Sequence, residues 1–128
     1  YFGIMGVVSN TGIINDLAAY FQSISSDYTY PIFTFISAGL VNFLVPSGGG
    51  QWYIQGPLII QSAIEMGIPL YKSILAMAYG DQLTNMMQPF WALPLLGITG
   101  LKAKDILPYT LIIMVVGLVI FSLGLLVF

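Results

Sequence analysis

Asn42-Phe43-Leu44-Val45-Pro46-Ser47-Gly48-Gly49-Gly50-Gln51-Trp52 lies inside 37 uncharged residues that separate Asp27 from Glu65. As one helix, at about 1.5 Å per residue, those residues would run ~55 Å. That is too long for a single crossing of a ~30 Å hydrocarbon core, even at ~40° tilt. Two full crossings and a turn would need about 40 residues or slightly more. Pro46 and three consecutive glycines break the stretch, leaving arms Tyr28–Val45 and Gln51–Ile64 that are each short for a span. The expected form is a re-entrant hairpin over 28–64 with its tip at 46–50, entering and leaving by one face. Two short spans joined by an interfacial turn are the alternative. Non-helical backbone at membrane depth persists only where protein or water satisfies its polar groups, so the tip is expected to line a cavity.

The whole chain supports a lipid environment. Only eight of 128 residues are charged, 58% are hydrophobic, and the mean hydropathy is +0.92. Soluble domains carry about 25% charged residues, so this surface could not be covered with polar side chains. The expected fold class is all-α integral membrane. Absences narrow the chemistry further. Without Cys there is no disulfide, thiolate nucleophile or Cys-ligated metal,. Without His, a Ser-His-Asp triad and a His-based zinc site cannot be built,. No metal site, resident cofactor or enzymatic activity is expected. The basic residues are all lysines, Lys72, Lys102 and Lys104, so bidentate capture of an anion by arginine is not available. A net charge of −2 argues against nucleic acid as a partner,.

Two further segments follow from the charges. Ile106–Phe128 is 23 uncharged residues and reads as a spanning helix over 106–128, with Pro108 tolerated in its first turn. Residues 73–101 exceed one crossing, and Gly80 and Pro89 bracket the polar run Asp81-Gln82-Leu83-Thr84-Asn85. A discontinuous helix is expected there, with halves near Lys72–Tyr79 and Gln88–Gly100 and an unwound centre. Residues 1–24 read as a further transmembrane helix; its Ser9-Asn10-Thr11 copies a tripeptide of some ion sites but lacks an accompanying break. Lys102 and Lys104 place their loop in the cytoplasm by the positive-inside rule, so the hairpin would enter from outside.

A hairpin tip and a broken helix together are a recurrent site architecture of secondary transporters. A helix beginning after Gly50 would present free N–H groups and partial positive charge to an anion. A helix ending near Val45 would present carbonyls to a cation. The expected substrate-binding residues are Ser47, Gly48, Gly49, Gly50, Gln51, Thr84, Asn85 and Gln88. The expected ion-coupling residues are Asn42, Asp81 and Asn85. An ionisable residue within a membrane segment is a functional candidate by default, which singles out Asp81; pairing with Lys72 is its plainer alternative. Asn42, Gln51, Gln55 and Gln88 could instead be interhelical hydrogen-bond glue.

Asn42 to Trp52 followed by Gln55-Gly56-Pro57 resembles a signature of the bacterial short-chain fatty acid transporter family. Gly80-Asp81-Gln82-Leu83-Thr84-Asn85-Met86-Met87-Gln88-Pro89-Phe90-Trp91-Ala92-Leu93-Pro94 is similar to its second block, and Tyr1 to Gly6 to a weaker third. The resemblance implies a member of the wider ion-transporter group, built from two inverted halves, with this segment as most of the C-terminal half. It implies uptake of small monocarboxylates such as butyrate or acetoacetate across the bacterial inner membrane, coupled to H⁺ or Na⁺. The expected partners are the carboxylate substrate, the lipid bilayer, the N-terminal half of the same protein and, optionally, a second copy in a homodimer. A dicarboxylate carrier, a Na⁺/H⁺ antiporter or a structural subunit are the alternatives.

Overall fold

The computed structural model describes residues 7, 10–12, 16, 19–20 and 23–127. The helix expected over 1–24, with the block Tyr1 to Gly6 and the tripeptide at 9–11, lies largely outside the described residues. Among the described residues the regular structure is helical: α1 (Tyr30–Leu44), α2 (Gly48–Glu65), α3 (Leu70–Asn85), a 3-10 turn (Pro89–Ala92), α4 (Leu93–Thr99) and α5 (Ala103–Val127).

Local chemistry sets each boundary. Thr29 Oγ1 accepts from the Ser26 N–H at 2.8 Å, and Pro31 stands in the first turn of α1, where its missing N–H has no helical acceptor anyway. Val45 precedes Pro46, which disfavours helical backbone, so α1 stops at Leu44. The link to α2 is only Val45-Pro46-Ser47. Here the expected tip at 46–50 is corrected, because Gly48, Gly49 and Gly50 form the first turn of α2. Ser47 is the cause: its backbone is extended and its Oγ accepts from the Gly50 N–H at 3.3 Å, an N-cap that starts the helix. None of these glycines has a positive φ. At the other end Gly67 does (φ +68°); its N–H donates to the Ile64 carbonyl and that of Ile68 to the Ala63 carbonyl, the Schellman pattern.

The unwound centre expected around 80–88 is also displaced. α3 runs without interruption through Gly80 to Asn85. Pro89, not Gly80, makes the break. It has no N–H to continue the helix and it forces Gln88 to extended backbone (φ −89°, ψ 107°),. The chain leaves the helix at Met86–Gln88, and α4 ends at Gly100 in the left-handed region (φ +71°). The last helix begins at Ala103 rather than Ile106, with the Lys102 N–H donating to Asp105 Oδ2 at 2.9 Å.

α3 is the hub. It packs most closely on α1 and also contacts α2 and α5. The α1–α3 approach depends on glycine. A β-carbon on Gly80 would overlap the Phe35 carbonyl oxygen, and would lie 2.8 Å from Ala38 Cβ and 2.9 Å from Gly39 N. One on Gly39 would come within 3.3 Å of Thr84 Cγ2. Around this contact Phe35, Ala76, Leu83 and Leu125 form an apolar cluster, edged by Tyr79 stacked on Phe121 at 4.5 Å. α5, with 25 residues, is among the described residues the one helix long and apolar enough to cross a membrane, at ~38 Å. Its face is largely exposed, as at Ile112 (63%) and Leu123 (57%). α1, α2 and α3 have 15, 18 and 16 residues, below the roughly 20 of a full crossing.

α1 and α2 are joined by a buried polar seam. Tyr30 OH donates to the Ile59 carbonyl at 3.0 Å, Gln51 Nε2 to the Ala38 carbonyl at 2.8 Å, and Gln55 Nε2 to Ser37 Oγ at 3.2 Å. Tyr30→Phe is expected to lower stability by about 1 kcal/mol, the usual net worth of such a bond. A thermal melt of the detergent-solubilised full-length protein checks it, and an unshifted melt would remove the bond from the account.

Candidate functional site

Where α1 ends, it faces the last two turns of α3. Asn42 is fully buried, and its Nδ2 lies within donating distance of three acceptors: the Asp81 carbonyl (3.0 Å), Thr84 Oγ1 (2.8 Å) and Asn85 Oδ1 (2.9 Å). Asn85 Nδ2 in turn donates to Asp81 Oδ2 at 3.1 Å. Thr84 Oγ1 donates to the Gly80 carbonyl one turn back. Gln88, in the break, reaches across with Nε2 to the Asn42 carbonyl at 3.4 Å, and Trp91 Nε1 donates to Asn85 Oδ1 at 3.3 Å. A helix with one residue in each of two turns directed at α1 gives this network: Asp81 and Asn85 are four apart and share a face.

The network has surplus acceptors. Asn42 Oδ1, Asp81 Oδ1 and Gln88 Oε1 are buried with no hydrogen-bond partner. Amide and carboxylate oxygens left over in a low-dielectric interior are costly unless a proton, a cation or a donor from elsewhere meets them. The Asp81 carboxylate also stands beside the start of α2: a β-carbon placed on Gly48 would lie 3.6 Å from Asp81 Oδ2. Between α2 and α3 a cleft of about 210 Å³ is lined by Gly48, Trp52, Ile74, Met77, Ala78 and Asp81. Asp81 makes no pairing with Lys72, which lines a different hollow beside Asp27.

Of the residues expected from sequence, Asn42, Asp81, Thr84, Asn85 and Gln88 come together, and Gly48 joins them at the Asp81 side. Ser47, Gly48 and Gly49 are exposed and Gly50 half-buried at the rim of α2. Gln51 does not join the network. It is fully buried and holds α1 to α2 through the Ala38 carbonyl, while also donating to Gln55 Oε1 one turn on in its own helix. Thr84 and Asn85, expected to face substrate, are turned onto Asn42. The apolar walls at Ile74, Met77 and Ala78 were not singled out by sequence. Their spacing of three and four on α3 is the signal that would have found them.

A family model described as short chain fatty acid transporter matches residues 1–128. The chain belongs to that family. Two curated proteins bear the provisional name short-chain fatty acid transporter. One, from Escherichia coli (strain K12), is 44% identical over all 128 residues. The other, from Haemophilus influenzae, is 42% identical over 125 residues, 98% of the chain. The chain spans 29% and 28% of their lengths. No solved structure matches the chain significantly. The family is one of membrane transport proteins, which agrees with the apolar exterior of α5. In this short chain fatty acid transporter segment the two sequence blocks at 42–57 and 80–94 face each other: the first supplies Asn42 and Gly48, the second the acceptors of the Asn42 side chain and the Asp81 carboxylate beside Gly48.

Proposed function

We propose that the chain is the C-terminal part of a multi-pass transporter of the bacterial inner membrane that takes up short-chain fatty acids, small monocarboxylates such as butyrate or acetoacetate, with H⁺ or Na⁺. The observation that carries the reading is the Asn42–Asp81–Asn85 network, a carboxylate with one unpartnered oxygen, beside an unpartnered Asn42 amide oxygen, held at an interhelical contact in a chain of a transporter family. In this reading α1 and α2 form a re-entrant hairpin, for which each is short enough. Asn42, Asp81 and Asn85 serve the coupling ion. Ser47 to Gly50, with Thr84, Asn85 and Gln88 behind them, border the path of the carboxylate. Gln51 is assigned to the hairpin's own cohesion. The remaining, N-terminal portion of the protein completes the site, and a homodimer is compatible with the exposed α5 face.

Uptake of labelled butyrate by the full-length protein in proteoliposomes tests this. Accumulation driven by an inward proton or sodium gradient, well above protein-free vesicles and competed by acetoacetate but not succinate, is the expected result. Competition by succinate would replace the reading with a dicarboxylate carrier. Ion movement without any organic acid would replace it with an antiporter.

A further inference from the structure

The cleft between α2 and α3 is small, apolar along its length and polar at one end. Its 210 Å³ is below the roughly 300–1,000 Å³ that drug-sized ligands occupy. Trp52, Ile74, Met77 and Ala78 make the walls, and Gly48 and Asp81 the polar end. There Gly48, the first residue of α2, stands beside Asp81 Oδ2, since a β-carbon on it would lie 3.6 Å away; the other carboxylate oxygen, Oδ1, is buried and accepts no hydrogen bond. The titratable groups of the packed elements do not line this cleft. They are Tyr30 on α1, bonded to the Ile59 carbonyl, Tyr53 and Glu65 on α2, and Lys104, Asp105 and Tyr109 on α5. On α3 itself Tyr71, Lys72 and Tyr79 are likewise absent from its lining. A wider hollow of about 350 Å³ lies beyond Asn85 and Gln88. Its Asn85 amide is engaged through both of its ends, and its Thr110 hydroxyl donates to the Leu107 carbonyl, which leaves it poor in donors for an anion.

We infer that the α2–α3 cleft takes the hydrocarbon tail of the transported acid, with the acid's carboxyl group against Asp81 and the Gly48 turn. The inference rests on the short-chain fatty acid reading. Two carboxylates in contact cannot both stay ionised, so acid and Asp81 share one proton in an O–H···O⁻ bond. The anion and one proton are then bound as a unit, and the proton departs with either partner when they separate. No other bond is made or broken. The walls Ile74 and Ala78 set the tail length. A methylene gained or lost in such a pocket is worth about 10- to 200-fold in selectivity.

The test measures uptake of labelled acetate, butyrate and hexanoate by the full-length protein in proteoliposomes. Ala78→Phe fills the cleft and is expected to lower the butyrate-to-acetate ratio at least ~10-fold. Ile74→Ala widens it and is expected to raise the hexanoate-to-butyrate ratio by about 10-fold. Ile74 is 40% exposed, so its truncation leaves the fold in place should the phenylalanine not be accommodated. Ratios within twofold of wild type for Ile74→Ala, in a wild-type background that transports butyrate, overturn the cleft assignment alone. A wild-type protein that moves none of the three acids overturns the transport reading instead.

Discussion

Gly80→Ala is expected to destabilise the protein by about 3 kcal/mol, the upper end of overpacking penalties. The added methyl group meets backbone rather than a yielding side chain: the Phe35 carbonyl oxygen, Gly39 N at 2.9 Å and Ala38 Cβ at 2.8 Å. Nothing there can rotate away, so α1 and α3 must separate. Separation also lengthens the Asn42 bonds to Asp81, Thr84 and Asn85, which hold the same two helices one turn farther on. Gly124→Ala is the matched control, because a β-carbon there meets nothing within 4 Å. Melting curves of the purified full-length protein in detergent should show a drop of several degrees for Gly80→Ala and none for Gly124→Ala. Equal melts for the two variants would contradict the close α1–α3 contact.

The second large effect is at Asp81. Asp81→Asn keeps the size of the side chain and its reach to Asn85, but it removes the only acidic group within residues 66–104. Gradient-driven accumulation of butyrate is expected to fall about 100-fold or more, because an amide neither takes up nor releases the coupling proton. Exchange of butyrate inside for butyrate outside should fall much less, since the amide N–H can still donate to the substrate carboxylate. The sign with pH follows. With one proton held by the bound pair, as inferred above, wild-type uptake is expected to rise as the outside pH falls and the Asn variant to lose that dependence. Equal loss of exchange and accumulation would make Asp81 a fold residue rather than a coupling one.

Much of this was legible in the sequence and some was not, for identifiable reasons. Charge spacing gave an all-helical chain in lipid, and the two interrupted segments gave Asn42, Asp81, Thr84, Asn85 and Gln88 as one neighbourhood. The helix boundaries within those segments were misplaced. Three glycines cost about 1 kcal/mol each relative to alanine in a helix interior, but here they form a first turn that Ser47 caps through the Gly50 N–H. Gly80 has the local propensity of a breaker, whereas its packing partner, Gly39, lies 41 positions away and only the folded chain brings them together. Local sequence showed the right breaker, Pro89, but not which of the two bracket residues would act. Gln51 looked like a tip donor. With its helix beginning three residues earlier than expected, it points between α1 and α2.

The distribution of these polar bonds also bears on how such a chain enters the bilayer during synthesis. The side-chain donors of Gln51, Gln55 and Tyr30 find their acceptors inside the α1–α2 pair, so that pair can leave the translocon with those N–H and O–H groups satisfied, while Gln51 Oε1 accepts no hydrogen bond. Asn42 cannot, because all of its side-chain acceptors sit on α3. A buried amide awaiting its partner is a reason for the α1–α2 pair to stay at the protein-conducting channel until Thr84 and Asn85 have been translated. α5, the most apolar and last-made of these helices, then closes the α3 face from the lipid side, through Gly117 against Leu83 and Met86.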